Sequence, residues 1–265
     1  MLIGGRRNME EDRKMSRREF VYGSAGFAAG AAIASGGLGM LSGCIGSETK
    51  AAECPSEPAS WPGEYKKLDT ARVAEIAYEN WYKKFCCYAV ASGLLIPLQE
   101  DVGEPYTSFP IDSVKWGHGG AVGWGTLCGS LNGAGIATGL IAGEEGEAIL
   151  NDVIYWYTTT ELPIYMPENP KAEIQNVNKS NSPLCHISVG KWMKKEDVAF
   201  ASPERKERCA RLSADVAVKT AELLNAWADG TYKPYHGSQV GTYDITTQNN
   251  CGDCHPSGSP ALPGV

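Results

Sequence analysis

Five residues near the C-terminus, Cys251-Gly252-Asp253-Cys254-His255, constrain this chain more than any other stretch. Two thiols separated by two residues can each add to one vinyl group of a porphyrin. The histidine that follows then lies beneath the ring as an axial ligand. The same spacing also occurs in surface disulfides and as half of a zinc site, but the motif points first to a covalently held haem c. After it comes Pro256-Ser257-Gly258-Ser259-Pro260, which reads as a flexible tail. The haem is therefore expected at the chain end, on an extension of whatever core precedes it.

The N-terminus agrees. Ser16-Arg17-Arg18-Glu19-Phe20 is a twin-arginine export signal, followed by a Gly/Ala-rich apolar stretch from about Val21 to Met40. That stretch is targeting sequence, not a structural helix. Leu41-Ser42-Gly43-Cys44 resembles a bacterial lipobox, which makes Cys44 a lipidated N-terminus; plain cleavage nearby is the alternative. Haem c is attached outside the cytoplasm, so both ends of the chain point to the periplasm. Twin-arginine export carries folded proteins, often with a cofactor already in place. Haem c does not require that route, so a second cofactor is expected.

The formal net charge is −7, and removing the basic leader makes the remainder more acidic. This excludes nucleic acid and an anionic lipid surface as partners, leaving the lipid anchor as the membrane contact. Redox partner proteins in the periplasm suit such a surface. Of nine cysteines, Cys44 is signal or anchor, Cys54 lies in a linker-like run, and Cys251 and Cys254 go to the haem. Cys86, Cys87, Cys128, Cys185 and Cys209 remain. Disulfides are the default in an exported protein. An odd number in helical segments, behind a twin-arginine signal, favours a metal centre.

The expected fold class is mainly α: a helical bundle with an irregular C-terminal haem-binding extension. The leader spans 1–43, a linker 44–64, the core 65–230 and the extension 231–265. Asp69 is a candidate N-cap for a helix to about Leu95, ended by Pro97, with Cys86 and Cys87 in its second half. A glycine-rich loop from Trp116 to Gly125 precedes an apolar helix, Thr126 to Ala142, with Cys128 in its first turn. There Gly129 with Gly133, and Gly135 with Gly139, allow close backbone approach. A third helix runs from about Glu144 to Thr159. Pro163, Pro167 and Pro170 mark a long loop. Ser182-Pro183 and Ser202-Pro203 each read as an N-cap followed by proline at the first helical position. They open a short helix with Cys185 and His186, and a long one with Cys209 that runs to about Ala228. Cysteines near helix N-termini favour the thiolate that metals require.

Five segments carry a family resemblance: Cys86-Cys87-Tyr88-Ala89; Gly119-Gly120 with Gly123-Trp124-Gly125; Thr126-Leu127-Cys128-Gly129; Ser182-Pro183-Leu184-Cys185-His186; and Glu207-Arg208-Cys209-Ala210. With the closing C-x-x-C-H, the chain from about residue 65 onward resembles the split-Soret cytochromes c. These lie within a wider group of bacterial redox proteins defined by scattered Cys and Gly positions. The resemblance implies a homodimer with bis-histidine haems clustered at one end. It also implies a cysteine-bound iron–sulfur centre of the two-iron type (2Fe-2S). By position its ligands are Cys87, Cys128, Cys185 and Cys209, with Cys86 the rival to Cys87. The family carries two haems per subunit, and this chain has one complete motif. Ser182-Pro183-Leu184-Cys185-His186 is a degenerate second copy that could hold a haem through a single thioether, at the expense of Cys185 as a cluster ligand. One haem plus a cluster is the preferred expectation.

Axial ligands come from a short list. His255 is proximal by its motif. The distal ligand is His236, His118 or His186, or else Met166 or Met193, with His236 preferred because it shares the extension. The expected function is periplasmic electron transfer. The alternative is a reductase or redox sensor built on a reactive Cys86–Cys87 dithiol. No nucleophile triad, phosphate loop or paired-carboxylate signature stands out.

Overall fold

A computed structural model describes residues 61–234. Cys44, Cys54, His236 and the Cys251–His255 motif, together with the leader and most of the expected extension, lie outside the described residues. Within them the fold is mainly α, as the sequence predicts. The helices are α1 (Thr70–Asp101), α2 (Gly129–Ala142), α3 (Gly146–Thr159), α4 (Cys185–Glu196) and α5 (Pro203–Ala228). Among the described residues, extended pairing is confined to two single-residue antiparallel bridges, Leu127 with Leu184 and Leu162 with Asn178.

Asp69 caps α1 by accepting the Ala71 N–H at 2.9 Å. The helix does not stop before Pro97, as the sequence predicts, but continues to Asp101 with Pro97 buried inside it. Leu94, Leu95, Pro97 and Leu98 are all buried. Their burial outweighs the single backbone hydrogen bond that a proline removes. The real break lies earlier. Lys84 (φ −142°, ψ 17°) and Phe85 (φ 68°, ψ −170°) are not helical and divide α1 into 70–83 and 86–101. Phe85 occupies a region that non-glycine residues enter at a cost of about 1–3 kcal/mol. Its ring packs against Trp81 at 5.7 Å, and Lys84 pairs with Asp112 of the 3₁₀ turn Ile111–Gly117.

α2 carries no charged side chain and is mostly buried among α1, α3 and α5. Among the described residues no helix is long and apolar enough to cross a membrane. Its two glycine pairs are not equivalent. A Cβ at Gly133 would overlap the Cys87 carbonyl and lie 2.9 Å from Val90 Cβ, whereas one at Gly139 meets nothing within 4 Å. Gly133 is thus where α2 seats on α1.

α5 starts as predicted, with Ser202 Oγ accepting the Arg205 N–H at 3.1 Å and Pro203 at the first position. Its stripe of Leu212, Val216 and Leu223 is buried, and α1 is its most extensive partner. Buried carboxylates on α5 also hold the proline-rich loop between α3 and α4. Asp215 accepts the Ile164 and Tyr165 N–H groups at 2.8 and 2.7 Å. Glu207 accepts the Tyr78 hydroxyl at 2.9 Å and the Lys171 N–H at 3.2 Å, and pairs with Arg211 at 2.7 Å. These bonds satisfy loop groups that would otherwise need water.

The glycine contacts give a paired test. Gly133→Ala should destabilise the protein by about 1–3 kcal/mol through overpacking. Gly139→Ala should be neutral or stabilise by up to about 1 kcal/mol through helix propensity. Urea unfolding midpoints of the two variants check the order.

Candidate metal centre

The site is organised by a short antiparallel junction. Cys128 N–H donates to Pro183 O at 2.9 Å, Cys185 N–H to Thr126 O at 2.7 Å, and His186 N–H to Gly125 O at 3.1 Å. Residues 126–128 and 183–185 therefore run side by side, which sets the start of α2 against the start of α4. The junction also corrects one expectation. Ser182 is not the N-cap of α4, because residues 183–184 are held extended in the pairing. The helix begins at Cys185, with Leu184 in the cap position and Ser182 Oγ accepting the Leu184 N–H at 3.1 Å. Cys128 is itself the N-cap residue of α2, one residue before the helix proper.

Two more cysteines reach the same place. The break at Phe85 makes Cys86 the first residue of the second segment of α1 instead of a mid-helix residue. Its Sγ accepts the Gly119 N–H at 3.5 Å. Gly129 packs so closely that a Cβ there would overlap the Cys86 sulfur. Cys209 arrives from the second turn of α5. Cys86, Cys128, Cys185 and Cys209 together line one cavity of about 320 Å³ with largely apolar walls. Cys87 does not line it. Its sulfur sits under the 3₁₀ turn, 2.6 Å from where a Cβ on Gly117 would lie, buried with Ala91 and Val114. The geometry thus brings together three of the four cysteines carried over by resemblance, and sets Cys86 in place of Cys87.

All five of these cysteines are free thiols. Among the described residues no three His, Cys, Asp or Glu side chains close on a single point as one metal ion requires. The four thiols line one cavity instead, and such a soft, all-sulfur donor set suits zinc or an iron–sulfur group.

Burial dominates the electrostatics. It pushes the Cys86 thiol well above its usual range, helped by the charge of Cys128. Cys87 is pushed up to about 12, and Cys185 is raised by burial and then by Cys128 and Cys209. At Cys185, which opens α4, burial outweighs the helix N-terminus expected to favour a thiolate. Arg208 stands in the cavity wall, 1% exposed. Its Nη2 donates to Ser188 Oγ at 2.8 Å, and its Nη1 faces Cys209 Sγ at 3.9 Å. Ser188 Oγ also accepts the buried Tyr157 hydroxyl at 2.7 Å. Arg208, Ser188 and Tyr157 were missed in the sequence. The available signal was an arginine one turn before Leu212, on the apolar stripe of α5.

The described histidines separate. His118 lines the thiol cavity, its ring 5.3 Å from that of Phe85. His186 is exposed at the start of α4. His255 and His236 lie outside the described residues.

The family described as "Putative redox-active protein (C_GCAxxG_C_C)" matches residues 85–223, which hold all four cavity cysteines. The split-Soret cytochrome c of Desulfovibrio desulfuricans is 33% identical over 251 residues, covering 91% of this chain and 87% of that protein. A solved structure described as a novel iron centre in the split-Soret cytochrome c from the same organism aligns with a TM-score of 0.63. Its sequence identity is 32%, and the match covers 76% of this chain and 85% of the other.

The Ser188 network predicts an order of stabilities. Tyr157→Phe removes one hydrogen bond and should cost about 1 kcal/mol, whereas Ser188→Ala strands two buried donors and should cost about 2–3 kcal/mol. Urea titrations followed by tryptophan fluorescence measure both.

Proposed function

This chain belongs to that family of redox-active proteins, and we propose that it is a periplasmic electron carrier with two kinds of iron cofactor. One is a haem c on Cys251, Cys254 and His255. The other is an iron–sulfur cluster of the two-iron type on Cys86, Cys128, Cys185 and Cys209. The observation that carries the proposal is the convergence of these four thiols from four helices on one apolar cavity. Their donor chemistry is that of an iron–sulfur site, and the relatives' descriptions, a cytochrome c and an iron centre, agree with it. When bound, both groups supply one-electron chemistry. The protein's part is to hold the sulfurs, exclude water and aim donors: the Gly119 N–H is directed at Cys86, and Arg208 at Cys209.

The haem's distal ligand is assigned to His236, with the exposed His186 as its competitor. His118 faces the cluster cavity, so it suits the haem less. A homodimer, twin-arginine export and lipidation at Cys44 complete the proposal on the strength of the sequence and the family. The two alternatives lose ground. A reactive Cys86–Cys87 dithiol is disfavoured because burial keeps both thiols protonated and turns them into different surroundings. A single-thioether haem at Cys185 is disfavoured because that sulfur lines the thiol cavity.

Single cysteine-to-serine variants test the ligand set. Replacing Cys86, Cys128, Cys185 or Cys209 should abolish or strongly reduce the non-haem EPR signal of the reduced protein while leaving the haem spectrum intact. Cys87→Ser should retain both. A signal lost in C87S but kept in C86S would overturn the assignment.

A further inference from the structure

Two arginines lie one turn apart on α5, and both are buried. Arg211 has a partner: Glu207, 2.7 Å away and equally buried. Arg208 has none of that kind. Among the described residues it makes no carboxylate pair, and its hydrogen bonds go to Ser188 and toward the Cys209 sulfur. Its Nε is buried with no acceptor. Asp215, two turns further along α5, accepts two backbone N–H groups and feels the Arg208 charge without pairing with it. A guanidinium stays charged at all working pH values, and a buried charge without a counter-charge is strongly unfavourable. Removing it from water is tolerated where compensating negative charge stands close by.

The cavity provides that charge as a cluster site: its cysteines bind as thiolates, a cluster on four of them carries net negative charge, and Cys209 Sγ lies 3.9 Å from Arg208 Nη1. We infer that Arg208 is the fixed counter-charge of this centre and raises its reduction potential. The inference rests on the iron–sulfur reading above. In the redox step, Arg208 stabilises the one negative charge added when an electron arrives from a one-electron protein donor, which is oxidised in turn. No bond is made or broken, and no proton need accompany the electron. Ser188 and Tyr157 serve as positioning residues that fix the guanidinium against Cys209.

The test is an EPR-monitored redox titration of the full, cluster-loaded protein and two variants. Arg208→Gln removes the charge at similar length, and Arg208→Lys keeps it. In R208Q the ratio of reduced to oxidised cluster at a given potential should fall at least tenfold, which is about 59 mV for a one-electron couple. R208K should stay within threefold of wild type. Loss of the cluster from R208Q with retention in R208K also supports the inference, since charge alone separates them. An unchanged midpoint in R208Q, or equal loss of the cluster in both variants, overturns it. Absence of non-haem iron from the wild type would instead overturn the iron–sulfur reading, a failure visible before any variant is made.

Discussion

Three hydrogen bonds between residues 125–128 and 183–186 hold this site together. They tie the chain entering α2 to the chain entering α4, so that Cys128 and Cys185, far apart in sequence, become neighbours. Everything else at the centre is fitted to that junction. Gly129 and Gly133 let α2 press on the second segment of α1, and the Gly119 N–H turns onto Cys86. α5 lies along α1 and brings in Cys209 and Arg208. The bundle is a scaffold for one thiol-lined cavity.

Much of this was legible beforehand, for physical reasons. The Ser202-Pro203 start of α5 needs only local chemistry, a side-chain acceptor and a fixed φ, and it formed as read. Ser182-Pro183 carries the same local signal and failed, because a long-range pairing with residues 126–128 claimed the backbone first. Pro97 looked like a stop, yet burial of its neighbours carried the helix past it. The choice between Cys86 and Cys87 turned on a left-handed Phe85, a strained conformation that no propensity favours and only tertiary contacts enforce. Adjacent residues on a helix point about 100° apart, so one of the two thiols had to miss the cavity. The sequence could not say which.

The charge pattern is the second lesson. Cysteines announce a metal site by their type, whereas the residues that set its electrostatics look unremarkable in sequence. Arg208 reads as one more charged residue on an amphipathic helix. Its significance appears only when Arg211 is seen to own the adjacent carboxylate and Arg208 to own none. The low dielectric of the cavity wall makes a fixed positive charge effective beside cysteines that bind as thiolates.

The central claim is that this chain holds iron besides haem, bound by four helix-borne thiols. Mössbauer spectroscopy on isotopically enriched protein tests it most directly. The account predicts a haem component together with a coupled, diamagnetic non-haem iron pair in the oxidised state. A spectrum in which all the iron is haem iron would contradict it.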